Sequence, residues 1–442
     1  MKRLRTFELP PALKRFRVFQ GAMTLFAVGY TAMIALVLKK AVPYGLMMLY
    51  DWSIFGDFRF FAPRFIHFRE PGFWTLPGAP LTYPAPLGVC LGLLLKVPRP
   101  VPFYLGICIA FWAAWHFYFA GRLQAQGISR GVTLLFAGSI ALTTWPFWLL
   151  LDTANMEGVV AIVTGAALLA IVRDRWWLAA ALIGVAGAMK IYPLVLLGLL
   201  LSKQKYREFG ASLIAAAVVT VASLAILGPS IPEASRHVAE GTVYLFDHYV
   251  YAISPIGAAF DHSLFSTVKL GIIHIPSLAP LGARGHFTNA TPVQAAQEKK
   301  LLELPLRIYL ILVGAGGIAA YFLRIRKLPL LNQMCALSVC AVLLPPMSMD
   351  YTLLNLTVPF GLLCIYAADR WRHRVEVKGL PACLMCFPFF FAVGQSYYPL
   401  PAPWIACQLR TAALVAMLIV AMRFRFDRSE SVAAKRGEFA WV

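Results

Sequence analysis

The sequence predicts an all-α integral membrane protein, a polytopic helical bundle of about 12 crossings with interfacial helices in its outer loops. Three observations predict this class. The 442 residues are 60% hydrophobic and only 14% charged, whereas soluble domains average about 45–50% apolar and about 25% charged residues. The mean hydropathy is +0.70. Apolar runs long enough to cross about 30 Å of hydrocarbon recur along the chain.

The first predicted crossing, Ala22–Leu38, follows an N-terminal segment rich in Lys and Arg. No small-residue cleavage motif follows it, so we expect an uncleaved helix whose N-terminus lies in the cytoplasm. Internal repeats and separate polar domains are absent from the sequence, which predicts one membrane domain over residues 1–442. Further apolar runs begin near Val101, Val132, Asn155, Trp176, Ala211, Leu306, Leu330, Tyr351, Leu380 and Trp404.

Two long connections, residues 41–86 and 229–302, differ from ordinary loops. The first is rich in Phe, Trp, Pro and Arg, too polar to span a membrane and too aromatic for a fully solvated loop. The second has a similar character. Such composition is typical of short helices that lie in the membrane interface, and we expect both connections on the outer side.

The net charge of +20 predicts the orientation of the bundle. Basic loops of membrane proteins stay in the cytoplasm and contact anionic lipid heads. We therefore place Lys203–Arg207, Arg324–Lys327, Arg370–Lys378 and the tail from Arg423 on the cytoplasmic side, together with both termini. The basic residues are not interleaved with aromatics in a polar domain, so we do not expect nucleic acid as a partner.

Two threadings of residues 84–201 are compatible with the sequence. In one, Pro86–Leu95 crosses the membrane and Trp176–Leu201 is a single span. In the other, Pro86–Leu95 stays at the outer surface, and the Trp176 run breaks at Lys190–Pro193 into two short legs. We prefer the second, because Pro193 lacks the N–H that a helix interior needs and because fewer basic residues then lie outside.

The preferred threading gathers unusual polar residues on the outer side. Ionisable groups at membrane depth are costly, so this grouping predicts a functional site, although each residue alone is equally compatible with a solvated interfacial position. The residues are Asp51, Asp57, Asp152, Asn155, Glu157, Lys190, His262 and Asp350.

Neither a metal nor a cofactor is predicted. Cys383 and Cys386 form a CxxC pair, but they lie in an apolar run and no second ligand pair follows at a matching spacing,. Asp51 and Asp57 lie in the same outer loop and could in principle share an ion.

Several short motifs resemble the GT-C glycosyltransferases. Gly56–Ala62, followed by Leu81–Pro86, is similar to the first outer loop of glycosyltransferase family 87, the polyprenyl-phosphate-mannose-dependent α-mannosyltransferases. Asp152–Gly158 resembles a short Asn-bearing turn of that family, and Ala188–Leu194 resembles its Lys-x-x-Pro break. Asp261–Leu264 departs from the family's Asn-Gln-Ser-Leu type sequence, which leaves the role of His262 open.

The resemblance implies a GT-C-like fold and an inverting transfer of a hexose, most simply mannose, at the outer face of a bacterial inner membrane. The partners would be a polyprenyl-phosphate sugar donor, a lipid or glycan acceptor and membrane lipids. Inversion needs a carboxylate that takes the proton of the acceptor hydroxyl. The resemblance places Asp57 in that role, with Asp51 as a possible second carboxylate.

Candidate ligands for the donor phosphate are cationic or hydrogen-bonding groups. Lys190 leads them, because a helix break places its ammonium at headgroup depth, although a snorkelling lysine is the alternative. Arg59, Arg307 and His262 are further candidates. Arg307 has an alternative as well, since it lies four residues after Glu303 and is placed to pair with it.

Sugar or acceptor contacts are predicted at Asn155, Glu157, Tyr83 and Tyr192. Asn155 and Glu157 have an equally plain alternative role in capping the helix that follows them.

Two other classes of function compete with a glycosyltransferase. One is a transporter or flippase of lipid-linked glycans; transporters also use broken helices, but near the bilayer midplane and usually in paired repeats. The sequence has one clear break, near an outer end, and no matching second half. The other is a polymerase or ligase of lipid-linked glycans. The acceptor and the linkage stay open.

Overall fold

A computed structural model describes residues 55–70, 72–76, 80–252, 261–273, 292–373, 375–391 and 405–426, together with residues 17, 20–25 and 27–29. Asp51, most of the first predicted crossing and both chain ends lie outside the described residues.

The described residues are largely helical, as predicted. Among the α-helices whose bounds lie within the described residues, the first eight are α1 Gly56–Phe65, α2 Ala85–Leu95, α3 Pro100–Ala125, α4 Arg130–Thr143, α5 Trp145–Thr153, α6 Glu157–Val172, α7 Trp176–Met189 and α8 Leu197–Ser202. The next eight are α9 Tyr206–Leu227, α10 Ile231–Leu245, α11 Leu264–Ile273, α12 Pro292–Leu323, α13 Leu330–Leu343, α14 Thr357–Arg372, α15 Leu380–Phe391 and α16 Ile405–Arg423. Short 3₁₀ turns cover Phe73–Thr75, Tyr192–Leu196, Ile325–Lys327 and Asp350–Leu356, and a π-helical turn covers Phe246–Val250.

Within the described ranges, four helical stretches are long and apolar enough to cross a membrane: Pro100–Ala125, Tyr206–Leu227, Val293–Lys327 and Asp350–Arg372. A fifth results if α4 and α5, which meet at a bend of 41°, count as one span. The membrane class is thereby supported, whereas about 12 crossings stays a prediction. Several other apolar helices have only 10–17 residues.

The bend between α4 and α5 lies at Thr144, two residues before Pro146. Pro146 has no N–H to continue the helical hydrogen-bond ladder. Thr143 and Thr144 instead turn their hydroxyls back onto the carbonyl oxygens of Ser139 and Ile140, an arrangement that bends helices.

The predicted break at Lys190 is present and reverses the chain. Lys190 has extended backbone angles (φ −149°, ψ 142°), which end α7. A Cβ on Gly187 would collide with the side chain of Leu194, so the two legs lie close together near the tip. At the far ends of the legs, Lys205 Nζ lies 5.5 Å from the Trp176 ring centroid. The chain therefore leaves and returns at the same end of the bundle, as the preferred threading requires.

The other predicted basic segments meet at this same end. Arg372 donates to the carbonyl oxygen of Ala125 (3.0 Å), and Arg324 donates to that of Met422 (2.6 Å). Helices α6, α7 and α14 run between this basic end and the opposite end of the bundle. The opposite end holds the α5–α6 turn, the tip at Lys190 and the 3₁₀ turn Asp350–Leu356.

Three apolar clusters hold the described part of the bundle together, and the smallest of them lies around Phe265 and Tyr309. The largest one surrounds α13 and α14, and every residue of α13 is buried. The second packs α1, α2 and the turn at Phe73–Thr75 beneath the opposite end. Helix α2 fits there because Gly88 and Gly92 leave room for the side chains of Leu81 and Phe68.

Candidate active site

Asp57 lies in the first turn of α1, at the end of the bundle opposite the basic segments. The preceding Phe55 adopts a left-handed conformation (φ 56°), and its N–H donates to the carbonyl oxygen of Asp152. This bond fixes the start of α1 beside the α5–α6 turn. The Asp57 carboxylate is partly buried and accepts a hydrogen bond from Asn155 Nδ2 (2.6 Å).

Asn155 connects Asp57 to the start of α6. Its side-chain oxygen accepts from the N–H of Glu157 (2.8 Å), the first residue of that helix. Its backbone oxygen accepts from the hydroxyl of Tyr104. The side-chain amide of Asn155 therefore makes both the predicted capping contact and a contact with the candidate base, Asp57. The bond to the α6 backbone orients this amide toward Asp57.

Glu157 is a fully buried carboxylate with three partners. Lys190 Nζ lies 3.1 Å from its Oε2, Asn355 Nδ2 donates to its Oε1 (3.2 Å), and the hydroxyl of Tyr192 donates to the same oxygen. A buried charge is tolerable only when it is paired and hydrogen-bonded, and these contacts meet that need.

Lys190 lies at the tip between α7 and the following 3₁₀ turn, with 23% of its side chain exposed. Its ammonium group lies 5.8 Å from the Tyr83 ring centroid and 6.0 Å from that of Tyr351. Aromatic faces attract cations at this range. The lysine is thus held between two rings and one carboxylate while part of it stays accessible.

Burial raises the pKa of Asp57 above its ordinary value, although the hydrogen bond from Asn155 and the charge of Lys190 counteract part of that effect. Burial also raises the pKa of the nearby Tyr249 phenol to about 12, and the charge of Asp57 adds to this. A carboxylate with a raised pKa is a stronger base than an ordinary aspartate, which suits proton abstraction near neutral pH.

A second buried polar cluster adjoins this site. Asp350 pairs with Arg410, and His262 Nδ1 lies 3.4 Å from Asp350 Oδ1. Asp261 lies 3.4 Å from Lys269 Nζ. These five side chains are buried. His262, predicted as a phosphate ligand, thus lies in this second cluster, with its Nε2 3.1 Å from Ser348 Oγ.

The structure brings together most of the predicted site residues: Asp57, Tyr83, Asn155, Glu157, Lys190 and Tyr192. Arg59 is exposed on α1, two residues after Asp57. Arg307 is exposed on α12 and pairs with Glu303, as its alternative interpretation expected. The contacts described for Arg307 do not reach Lys190.

Sequence reasoning missed Tyr104, Tyr351 and Asn355 as members of the site. Asn355 carried a usable signal, since a side-chain amide inside an apolar span needs a buried partner. Asp350 and Arg410 carried a similar signal. They are single charges of opposite sign in separate apolar segments, and such charges often pair.

Over the described residues, the fold and the site define a class: a helical protein with four candidate membrane spans and with a carboxylate, a lysine and several tyrosines grouped at one end of the bundle. The sequence model of glycosyltransferase family 87 matches residues 81–349, more than half of the chain, and the chain belongs to this family. The protein is a glycosyltransferase, as the resemblance predicted. Comparison with curated proteins and with solved structures gives no match. Asp57 lies ahead of the matched region, whereas Lys190 lies within it.

Proposed function

We propose that this protein transfers mannose, with inversion, from a polyprenyl-phosphate donor to a lipid or glycan acceptor at the outer face of a bacterial inner membrane. The observation that carries the proposal is the placement of the Asp57 carboxylate, bound by Asn155 and influenced by the charge of Lys190. Asp57 supplies a base and Lys190 supplies a cation, and the proposed reaction needs both.

In the proposed reaction, the acceptor hydroxyl oxygen attacks the anomeric carbon from the face opposite the phosphate. Asp57 takes the hydroxyl proton as the new carbon–oxygen bond forms. The bond between the anomeric carbon and the phosphate oxygen breaks, and polyprenyl phosphate leaves with the electron pair. The proton on Asp57 is later released to solvent, so the carboxylate is regenerated.

Lys190 is the proposed partner of the leaving phosphate. Negative charge grows on the phosphate as the glycosidic bond breaks, and a fixed ammonium stabilises that charge without reorganising. The partial exposure of Lys190 leaves room for an incoming anion. Arg59 is the weaker candidate for a second cation, because side chains two residues apart on an α-helix point to different faces.

The surroundings of the site are apolar, and a small cavity of about 30 Å³ lies beside it. Gly158 and Leu354 line it together with Phe111, Trp112 and Ile162. A polyprenyl chain is hydrocarbon and gains about 25 cal/mol for each Å² of apolar surface that it buries. We propose that the polyprenyl chain of the donor lies against apolar helix surface at this end of the bundle while the phosphate reaches Lys190.

The two ends of the bundle indicate on which side of the membrane the proposed reaction takes place. Arg324, Arg372 and Lys205 belong to the basic end, and basic loops stay in the cytoplasm. Asp57 and Lys190 belong to the opposite end. That end would therefore face outward, where lipid-linked sugars and their acceptors meet.

The test is a transfer assay with purified protein in proteoliposomes and a panel of radiolabelled polyprenyl-phosphate sugars. We expect a labelled product with the mannose donor and none with the Asp57→Asn variant. If only a glucose or arabinose donor gave a product, the transferred sugar would be that one and not mannose. No product with any donor, combined with measurable flux of lipid or solute across the liposome membrane, would support the transporter alternative.

A further inference from the structure

The ion pair between Asp350 and Arg410 lies behind the proposed active site. Both side chains are 0% exposed. Arg410 belongs to α16, and Asp350 begins the 3₁₀ turn Asp350–Leu356. Asp350 also accepts a hydrogen bond from Trp145 Nε1 (3.0 Å) at the start of α5. The pair therefore fastens this turn to two helices from distant parts of the chain.

A second set of bonds holds the residues just before the same turn. Asp261 Oδ1 accepts from the N–H of Ser348 (2.9 Å), and the N–H of His262 donates to the Ser348 carbonyl oxygen (3.0 Å). Lys269 balances the charge of Asp261. The turn Asp350–Leu356 thus starts from a backbone position fixed on both sides.

The turn carries two groups of the proposed active site. Asn355 donates to Glu157 (3.2 Å) and to the Tyr192 hydroxyl (3.0 Å). The ring of Tyr351 lies against the Lys190 ammonium. A shift at Asp350 would move both groups, because five residues of 3₁₀ helix extend only about 10 Å.

Stability alone is a weak explanation for this pair. Removing two charges from water costs several kcal/mol for each ion, and well-packed apolar replacements of a buried pair are often neutral or stabilising. What an apolar pair would lose is orientation: Arg410 Nη1 contacts Asp350 Oδ1, while Trp145 Nε1 donates to Oδ2. These two contacts together fix the carboxylate. The geometry therefore points to a positional function.

We propose that Arg410 is a positioning residue for the donor site, acting through Asp350 and the turn Asp350–Leu356 on Asn355 and Tyr351, and through them on Glu157 and Lys190. The inference rests on the proposed transferase reaction. It assigns Arg410 no contact with substrate.

The kinetic test compares Arg410→Gln with Arg423→Gln, the same substitution at the basic end of the same helix. We expect Arg410→Gln to raise the donor KM about tenfold, the value of one lost hydrogen bond to a charged group, with little change in acceptor KM. Arg410→Lys, which keeps the charge, should recover part of the loss. Arg423→Gln should leave both constants unchanged. A uniform loss of kcat with unchanged donor KM would overturn the proposal.

A double variant tests the route of the effect. Because Arg410 is proposed to act through both Asn355 and Tyr351, Arg410→Gln combined with Asn355→Ala should lose clearly less than the product of the two single losses. Fully additive losses would mean that Arg410 acts elsewhere and would overturn the proposal.

Hydrogen exchange supplies a readout that does not depend on activity. We expect the amides of Asp350–Leu356 to exchange faster in Arg410→Gln and at the wild-type rate in Arg423→Gln. Unchanged exchange in Arg410→Gln would overturn the positioning role even if transfer were never detected.

Absence of wild-type transfer with every donor would count against the proposed function instead. If Arg410→Gln does not fold, Asp350→Asn, which preserves the acceptor for Trp145, replaces it in both measurements.

Discussion

The ammonium group of Lys190 lies 3.1 Å from the carboxylate of Glu157, which is fully buried. In the proposed reaction, the donor phosphate approaches the same ammonium group. The phosphate and Glu157 therefore compete for one cation. Glu157 Oε1 retains Tyr192 and Asn355 as hydrogen-bond partners when the lysine turns to the phosphate. Oε2 loses its ion pair with Lys190, so the exchange costs free energy that the phosphate must supply. Glu157 would then set donor affinity.

Glu157→Gln removes the competing charge and keeps the shape of the side chain. We expect the donor KM to fall about threefold to tenfold, since each factor of ten corresponds to about 1.4 kcal/mol. The measurement is initial rate against donor concentration. Glu303→Gln, in the exposed pair with Arg307, is the matched control and should have no effect. A higher acceptor KM with unchanged donor KM would assign Glu157 to the acceptor instead.

Lys190→Met keeps the length and apolar stem of the side chain but removes its charge. We expect the donor KM to rise at least about tenfold while the acceptor KM stays within about twofold, because only the donor carries the phosphate. The control is Lys299→Met, a half-exposed lysine paired with Asp247. If acceptor use suffers more than donor use, Lys190 is not the phosphate ligand.

Asp57→Asn tests the base. The amide has nearly the shape of the carboxylate, and its oxygen still accepts from Asn155, so the fold should be retained. Proton abstraction is lost, and we expect transfer to fall by at least about 10²–10⁴-fold. Melting temperature and gel-filtration profile check folding. Asp174→Asn, an exposed position with φ 56° that asparagine tolerates well,, is the control; full turnover by Asp57→Asn would reject the assignment.

The pH profile tests the environment of the same carboxylate. Asp57 works as a base only when deprotonated, and its raised pKa moves the acid limb of kcat/KM above that of an ordinary aspartate,. Asn155→Ala removes the hydrogen bond that lowers this pKa. The pKa should therefore rise further and the acid limb should shift to higher pH. A shift to lower pH, or none, would show that another group controls the limb.

The sequence predicted the local features of the site better than its long-range contacts. Pro193 and Lys190 marked the break in the chain because proline acts on its own backbone. The contact of Asn355 with Glu157 joins residues 198 positions apart, and an apolar span does not reveal which face a single amide takes. The pairing of Asp350 with Arg410 could not be predicted from the sequence for the same reason. The number of crossings was also hard to predict, because α6, α7 and α13 are shorter than a full span,.

The orientation of the bundle yields a prediction that does not depend on the chemistry. Ile191, next to Lys190 at the tip, is 80% exposed, and Arg207 is exposed near the basic end. If the site end faces outward, a membrane-impermeant maleimide applied to right-side-out vesicles should label Ile191→Cys and spare Arg207→Cys. Inverted vesicles should give the opposite pattern, because the reagent then meets the basic end. The wild-type chain measures the background, which should be low because the described native cysteines are buried or partly buried. Labelling of Arg207→Cys from outside would place the active site in the cytoplasm and exclude a donor that is used at the outer face.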